Sequence, residues 1–258
     1  MKSKVLILLA IAALAGLSLQ ANAAIDLGTA GDFAVLAGST VTNTGSSVID
    51  GGDVGVSAGT AITGFPPATI TSPYTTHAAD ATAAQAQVDL TTAYNAAAAL
   101  AYTQNLTGTD LGGLELGPGV YFFSSSADLT GTLILNGQGD PNAQFVFQIG
   151  STLITAADSS VVATNGALPG DNVFWQVGTS ATLGTSTAFM GHILANVSIT
   201  LTTGAEILNG SALARSGAVT LGDNRITNSV IPEPATMTLA LVGGVAMLLK
   251  RRSHRSSR

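Results

Sequence analysis

TLGTSTAFMGHILANVSITL, the stretch from Thr182 to Leu201, begins and ends on the same dipeptide, and that recurrence decides the fold. Thr-Leu also stands at Thr132-Leu133, Thr152-Leu153 and Thr220-Leu221, so the five copies follow one another at intervals of 20, 30, 18 and 20 residues. A repeat of roughly 20 residues suits one solenoid coil of short strands and corners, which hides its apolar side only against neighbouring coils. The interval of 30 contains an insertion, Asn165-Gly166-Ala167-Leu168-Pro169-Gly170-Asp171-Asn172. Since strand side chains alternate between faces, each Leu can point inward while the preceding Thr points to solvent. A second register agrees: Phe147-Gln148-Ile149-Gly150 aligns with Trp175-Gln176-Val177-Gly178, which places Trp175 in the core beside Phe147. The pattern predicts an all-β solenoid.

Upstream, one segment breaks it. From His77 to Tyr102 the chain has no Gly or Pro and is dominated by Ala, the best helix former. Ala83, Ala86, Leu90, Ala93, Ala97 and Leu100 recur at spacings of three and four, so one long helix over 77–102 should lie along a wall of the solenoid. Further upstream, Phe33–Leu36, Ser39–Thr44 and Gly52–Val56 read as strands. They have no partners nearby in sequence, so they are expected to pair with the later coils and make spatial order differ from chain order.

The two ends read as addressing segments. Lys2 and Lys4 precede an apolar run from Val5 to Leu17 and then Ala21-Asn22-Ala23, which fits a secretory signal over residues 1–23 cut by signal peptidase before Ala24. At the other end, Pro232-Glu233-Pro234 precedes an apolar stretch, Ala235 to Leu249, and a basic cluster. The stretch is shorter than the roughly 17 residues a comfortable membrane span needs. Pro-Glu-Pro, a hydrophobic segment and an Arg-rich tail over 231–258 resemble a PEP-CTERM sorting signal, which implies exosortase-type processing. The expected product is exported and extracellular or envelope-associated, and touches the membrane only through that segment before processing.

Of the nine basic residues, only Arg215 and Arg225 lie between these ends, so the domain over 24–230 is acidic and lacks Lys. Such a surface disfavours nucleic acid and acidic lipid headgroups. With no cysteine, there is no disulfide framework or thiol chemistry.

From Ile25 to Val230 the residues resemble the microbial ice-binding protein family. Phe33 to Gly45 is similar to the family opening, and Gly52 to Ser57, Leu106 to Gly113, Pro118 to Tyr121, Phe147 to Leu153 and Phe174 to Gly178 are similar to later blocks. The resemblance implies a discontinuous right-handed parallel β-helix with one long helix alongside. It also implies a monomer without cofactor whose flat, hydroxyl-rich strand face adsorbs to an ice crystal surface and slows its growth or recrystallisation. The family pattern on that face is Thr, then Ala or Gly, then any residue, then Thr or Asn. It is met in part at Thr44-Gly45-Ser46-Ser47, Thr155-Ala156-Ala157-Asp158, Thr185-Ser186-Thr187-Ala188 and Thr203-Gly204-Ala205-Glu206. Asp158 and Glu206 stand where the pattern asks for Thr or Asn, which implies moderate antifreeze activity. The competing face is the ladder Thr132, Thr152, Thr182, Thr200 and Thr220, and the sequence leaves the choice open.

An enzyme is disfavoured because the domain offers no Lys, two Arg and two histidines. His77 is expected to cap the helix and His192 to sit on a strand surface, while Asp53 and Asp110, in Gly-rich turns, are expected to bond their own backbone. No Gly-Asp nonapeptide repeat is present, so no calcium or other metal is expected. A cell-surface adhesin or extracellular-matrix protein on the same scaffold is the alternative function.

Overall fold

The computed structural model describes residues 25–167 and 172–228. The secretory signal, the sorting signal with its apolar segment, and residues 168–171 of the insertion lie outside the described residues.

In chain order, a 3-10 turn (Gly28–Asp32) leads into β1 (Phe33–Ala37), β2 (Thr40–Thr44) and β3 (Val48–Asp50). β4 (Asp53–Val56), β5 (Ala61–Thr63), β6 (Thr69–Ile70) and β7 (Thr76–Ala78) follow, then helix α1 (Ala81–Ala99). After two short strands, β8 (Gln104–Asn105) and β9 (Glu115–Leu116), the chain makes β10 (Gly119–Phe123), β11 (Ala127–Leu129) and β12 (Thr132–Asn136). Next come β13 (Phe145–Ile149), β14 (Leu153–Thr155), β15 (Ser160–Thr164), β16 (Val173–Val177), β17 (Ala181–Leu183) and β18 (Ala188–Met190). The last six are β19 (His192–Ala195), β20 (Ile199–Leu201), β21 (Glu206–Leu208), β22 (Ala212–Ala214), β23 (Val219–Gly222) and β24 (Arg225–Thr227).

Successive strands go to three different parallel sheets. Sheet A runs β7-β4-β1-β22-β19-β16-β13-β10-β8, sheet B runs β11-β14-β17-β20-β23-β2-β5, and sheet C runs β6-β3-β24-β21-β18-β15-β12-β9. Each sheet contains the same junction: β1 pairs β22, β2 pairs β23 and β24 pairs β3. The first strands of the domain therefore sit against its last. This is the discontinuity expected from the unpartnered strands upstream of the helix.

Inward side chains of all three sheets share one apolar core, for example Val35 and Trp175 from sheet A, Val41 and Leu183 from sheet B, and Ile49 and Leu133 from sheet C. The expected register holds: Phe147 lies against Trp175 and Gln148 against Gln176. In the core the rings of Phe147 and Trp175 stack with centroids 3.9 Å apart, and Tyr121 continues the stack at 5.4 Å from Phe147. Each such pair adds about 0.5–1.5 kcal/mol beyond its burial. The indole Nε1 of Trp175 donates to the Met190 carbonyl at 2.9 Å, so its one polar atom is satisfied.

Sheet A is buried on its other side too, which is why β1, β13 and β16 read as near-continuous apolar runs. Leu36, Val146, Phe174 and Leu213 meet Ala83, Ala86, Leu90, Ala93 and Ala97 of α1 in a second core. The predicted buried face of the helix is thus the observed one, with Leu100 partly buried beside it. Its bounds are shorter than 77–102. Asp80 takes the N-cap, accepting from the Ala83 amide at 2.9 Å, which starts the helix at Ala81, and Leu100 turns extended at the other end. Gln148 holds that end by donating to the carbonyls of Ala97 and Leu100, both at 2.8 Å. Arg215 reaches the Asn196 side chain at 2.9 Å and lies 4.5 Å from the centre of the Tyr94 ring.

Three side-chain expectations need correction. His77 is in β7 and caps nothing itself. Its Nδ1 meets the Asp80 carboxylate at 2.7 Å and its Nε2 that of Asp53 at 3.4 Å, so it braces the capping residue. His192 is buried rather than on a strand surface, stacked at 5.5 Å on Phe174 with Nδ1 at 2.8 Å from the Ser211 hydroxyl, because the helix covers that side of sheet A. Burial pushes its imidazole down to about 4. Asp110 bonds its own turn at Gly112, as expected, but Asp53 accepts from Thr75 in the adjoining strand segment.

Candidate functional site

With sheet A covered by the helix, sheets B and C are left to face solvent. Their outward residues differ in chemistry. Sheet C places Glu206 opposite Arg225 and Arg225 opposite Val48, with Glu115 and Ile134 paired farther along. A surface alternating charges with exposed Val48 and Val162 has no repeating character.

Sheet B is regular. Down the middle of its strands the register pairs Thr182 with Thr200, Thr200 with Thr220, Thr220 with Thr42, and Thr42 with Thr63. Five threonines on five adjacent strands thus form one row, while the residues beside them, such as Leu183, Leu201 and Leu221, point into the core. Beyond Thr182 the row continues as Ile154 and Asp128. One step toward the strand starts, the same register aligns Ser126, Thr152, Ser180, Ser198, Ala218 and Thr40, a second row of small residues, mostly hydroxylated. Ser126 and Thr152 share a hydrogen bond of 2.7 Å.

The structure divides the expected ladder. Thr182, Thr200 and Thr220 share the central row. Thr152 is one row over, because Leu153 lies against Ala181 and Ile154 takes the place opposite Thr182. Thr132 is a correction: it belongs to sheet C, where its hydroxyl meets that of Ser160 at 2.8 Å. The Thr-Leu pattern reports only that Leu is inward, which is equally true of Leu133 in sheet C. Thr42 and Thr63 escaped the ladder because they precede the helix and no constant interval links them to Thr220. The alternation Thr40-Val41-Thr42 is a signal for Thr42 alone.

The four four-residue sites are corners between sheets B and C. Thr44, Ser46, Ala157, Asp158, Thr185 and Thr203 are exposed there, and Thr185 approaches the Thr202 hydroxyl at 3.4 Å. Ser47, Thr155, Thr187 and Ala205 are buried, which corrects their expected outward placement. Where the chain turns between sheets, a small side chain must fill the wedge inside the corner, and a hydroxyl there bonds protein rather than water. Thr155 and Thr187 bond each other at 2.8 Å, Thr155 also accepts from the Gly184 amide, and Ser47 accepts from the Asn224 amide at 2.9 Å. Asn224 in turn donates to the carbonyls of Thr202 and Ala205. Glu206 starts β21 and is half-buried on sheet C, around the corner from the threonine row.

Against this geometry, the family model described as ice-binding-like matches residues 35–227. The chain belongs to the ice-binding-like family. Among ice-binding-like relatives, an ice-binding protein of Nostoc sp. (strain HG1) is 55% identical over 257 residues, covering 95% of this chain and 94% of the relative. An ice-binding protein of Colwellia sp. is 35% identical, covering 79% of this chain and 83% of its own. The crystal structure of an ice-binding protein from the Antarctic ascomycete Antarctomyces psychrotrophicus superposes with a TM-score of 0.76 at 46% identity, covering 80% of this chain and 98% of the other.

Proposed function

We propose that the protein adsorbs to ice through the outward face of sheet B and slows growth or recrystallisation of the crystal. One observation carries the reading: five threonines stand in unbroken register on adjacent strands, with no charged side chain between Thr182 and Thr63. Neighbouring strands are about 4.8 Å apart, so the row is an evenly spaced line of methyl and hydroxyl groups. The methyls restrain nearby water and the hydroxyls hydrogen-bond it, so a hydration layer can order on the face and merge with the crystal. Threonine is stiff at χ1, so little entropy is lost on contact. Regularity and lack of charge favour this face over sheet C, and the row favours it over the corners, where four of the eleven expected residues are buried.

The finer structural reading is a discontinuous right-handed β-helix acting as a monomer without cofactor or catalytic role; strands visiting three parallel sheets in turn support it. The ends of the sequence support export and PEP-CTERM processing. The relatives described above carry ice-binding names, which leaves the adhesin alternative without support. The test is an ice recrystallisation assay on the purified domain over 24–230, with capture into a slowly grown crystal. Grain growth suppressed and protein enriched in the ice are expected; grains coarsening as in buffer, with the protein left in the liquid, reject the proposal.

A further inference from the structure

We propose that Ile154 and Asp128 terminate the ice-contacting row and set its length, an inference that rests on sheet B being the ice face. In register, Asp128 faces Ile154 and Ile154 faces Thr182, so both occupy positions that five neighbouring strands fill with threonine. Both side chains are exposed, Ile154 at 45%, and both strands carry inward Leu129 and Leu153 in the usual core positions. The backbone scaffold for one row of seven is therefore present, and only the outward side chains interrupt it.

The two residues interrupt it by different physics. Isoleucine has the β-branch of threonine but replaces its hydroxyl with a longer hydrocarbon arm, so it offers no hydrogen bond and rises above the threonine level. Aspartate carries a strongly hydrated charge, and fitting it against a crystal that excludes ions would cost its solvation. With strands about 4.8 Å apart, the five-threonine row spans roughly 19 Å and a seven-threonine row would span roughly 29 Å. The flanking row supports the extension, since Ser126 and Thr152 already keep small hydroxyls beside the interrupted positions.

Thermal hysteresis and recrystallisation inhibition of the purified protein test this with Ile154→Thr, Ile154→Val and Ile154→Thr/Asp128→Thr, alongside Thr200→Tyr. Thr fits an exposed strand position, so the variants should fold as the parent does. Ile154→Thr is expected to raise hysteresis at equal molar concentration by about two-fold, which needs only a small gain in adsorption free energy. The double variant should exceed it, and Ile154→Val, which shortens the arm without adding a hydroxyl, should not. If the parent is active and Thr200→Tyr abolishes that activity, but neither threonine variant exceeds the parent, the proposal is overturned and the sheet B reading stands. A gain in Ile154→Val equal to that in Ile154→Thr overturns the role given to the hydroxyl. A parent without activity, or an active parent unaffected by Thr200→Tyr, overturns both.

Discussion

Replacing Thr200 by Tyr puts the proposed ice face to its strictest test. Thr200 is half-buried between Thr182 and Thr220 in the row of five. A phenol ring there stands well above its neighbours and leaves Thr182 on one side and Thr220, Thr42 and Thr63 on the other. The longest unbroken row falls from five threonines, roughly 19 Å, to three, roughly 10 Å. The remaining three cannot reach a flat crystal until the ring is accommodated, so adsorption should weaken by at least about 1.4 kcal/mol, a factor of ten. Because the substitution sits on the surface, stability should change by only about 0.5 kcal/mol or less. Recrystallisation inhibition is to be measured beside urea unfolding, with two comparison variants: Thr203→Tyr at a corner and Val162→Tyr on sheet C. Near-complete loss in Thr200→Tyr alone is expected. Full activity in Thr200→Tyr with loss in Thr203→Tyr would move the ice face to the corners, and full activity in both would refute the assignment of either.

Two further predictions concern the scaffold. His192 titrates at about 4 when folded, against an ordinary value near 6.5, because burial disfavours its charged form. The unfolded chain then binds more protons between those values, so this stabilisation is complete above pH 6.5 and lost as pH falls toward 4, by roughly 3 kcal/mol at most; urea midpoints at pH 7 and pH 4.5 should differ less in His192→Gln than in the parent. Thr187→Val leaves the buried Thr155 hydroxyl without one partner and should cost about 1–3 kcal/mol, and Thr155→Val/Thr187→Val should recover none of it, since it also takes the acceptor from the Gly184 amide; ice activity should be untouched in both, and a loss of it at unchanged stability would contradict the buried placement of the pair.

Much of the architecture was legible because it rests on apolar periodicity. The inward leucines, the stacked Phe147 and Trp175, and the apolar face of the helix each leave a pattern that burial alone dictates. The candidate site was legible only in part, since polar residues obey no such rule. Thr132 and Thr182 both stand before a Leu yet occupy different sheets, because the repeat interval does not say which sheet a strand joins. Thr155 and Thr187 look like surface threonines until the corner is seen to need small side chains within it. Thr42 and Thr63 join the row through a pairing between β2 and β23 that no local pattern announces.

Helix α1 also acts as a ruler. It leaves β7 at one end of sheet A and delivers the chain to β8 at the other, so the helix and its short flanking segments together span the strands between them. A strand adds about 4.8 Å to the sheet and a helical residue about 1.5 Å of rise, so one extra strand in sheet A would demand about three more residues of helix. Three residues are close to one full turn, so the face of Ala83 to Ala97 stays on the sheet provided the added turn also presents a small side chain to it. Lengthening this fold therefore couples two changes, a strand in each sheet and a turn of helix, whereas changing side chains on strands already present enlarges the working surface by substitution alone.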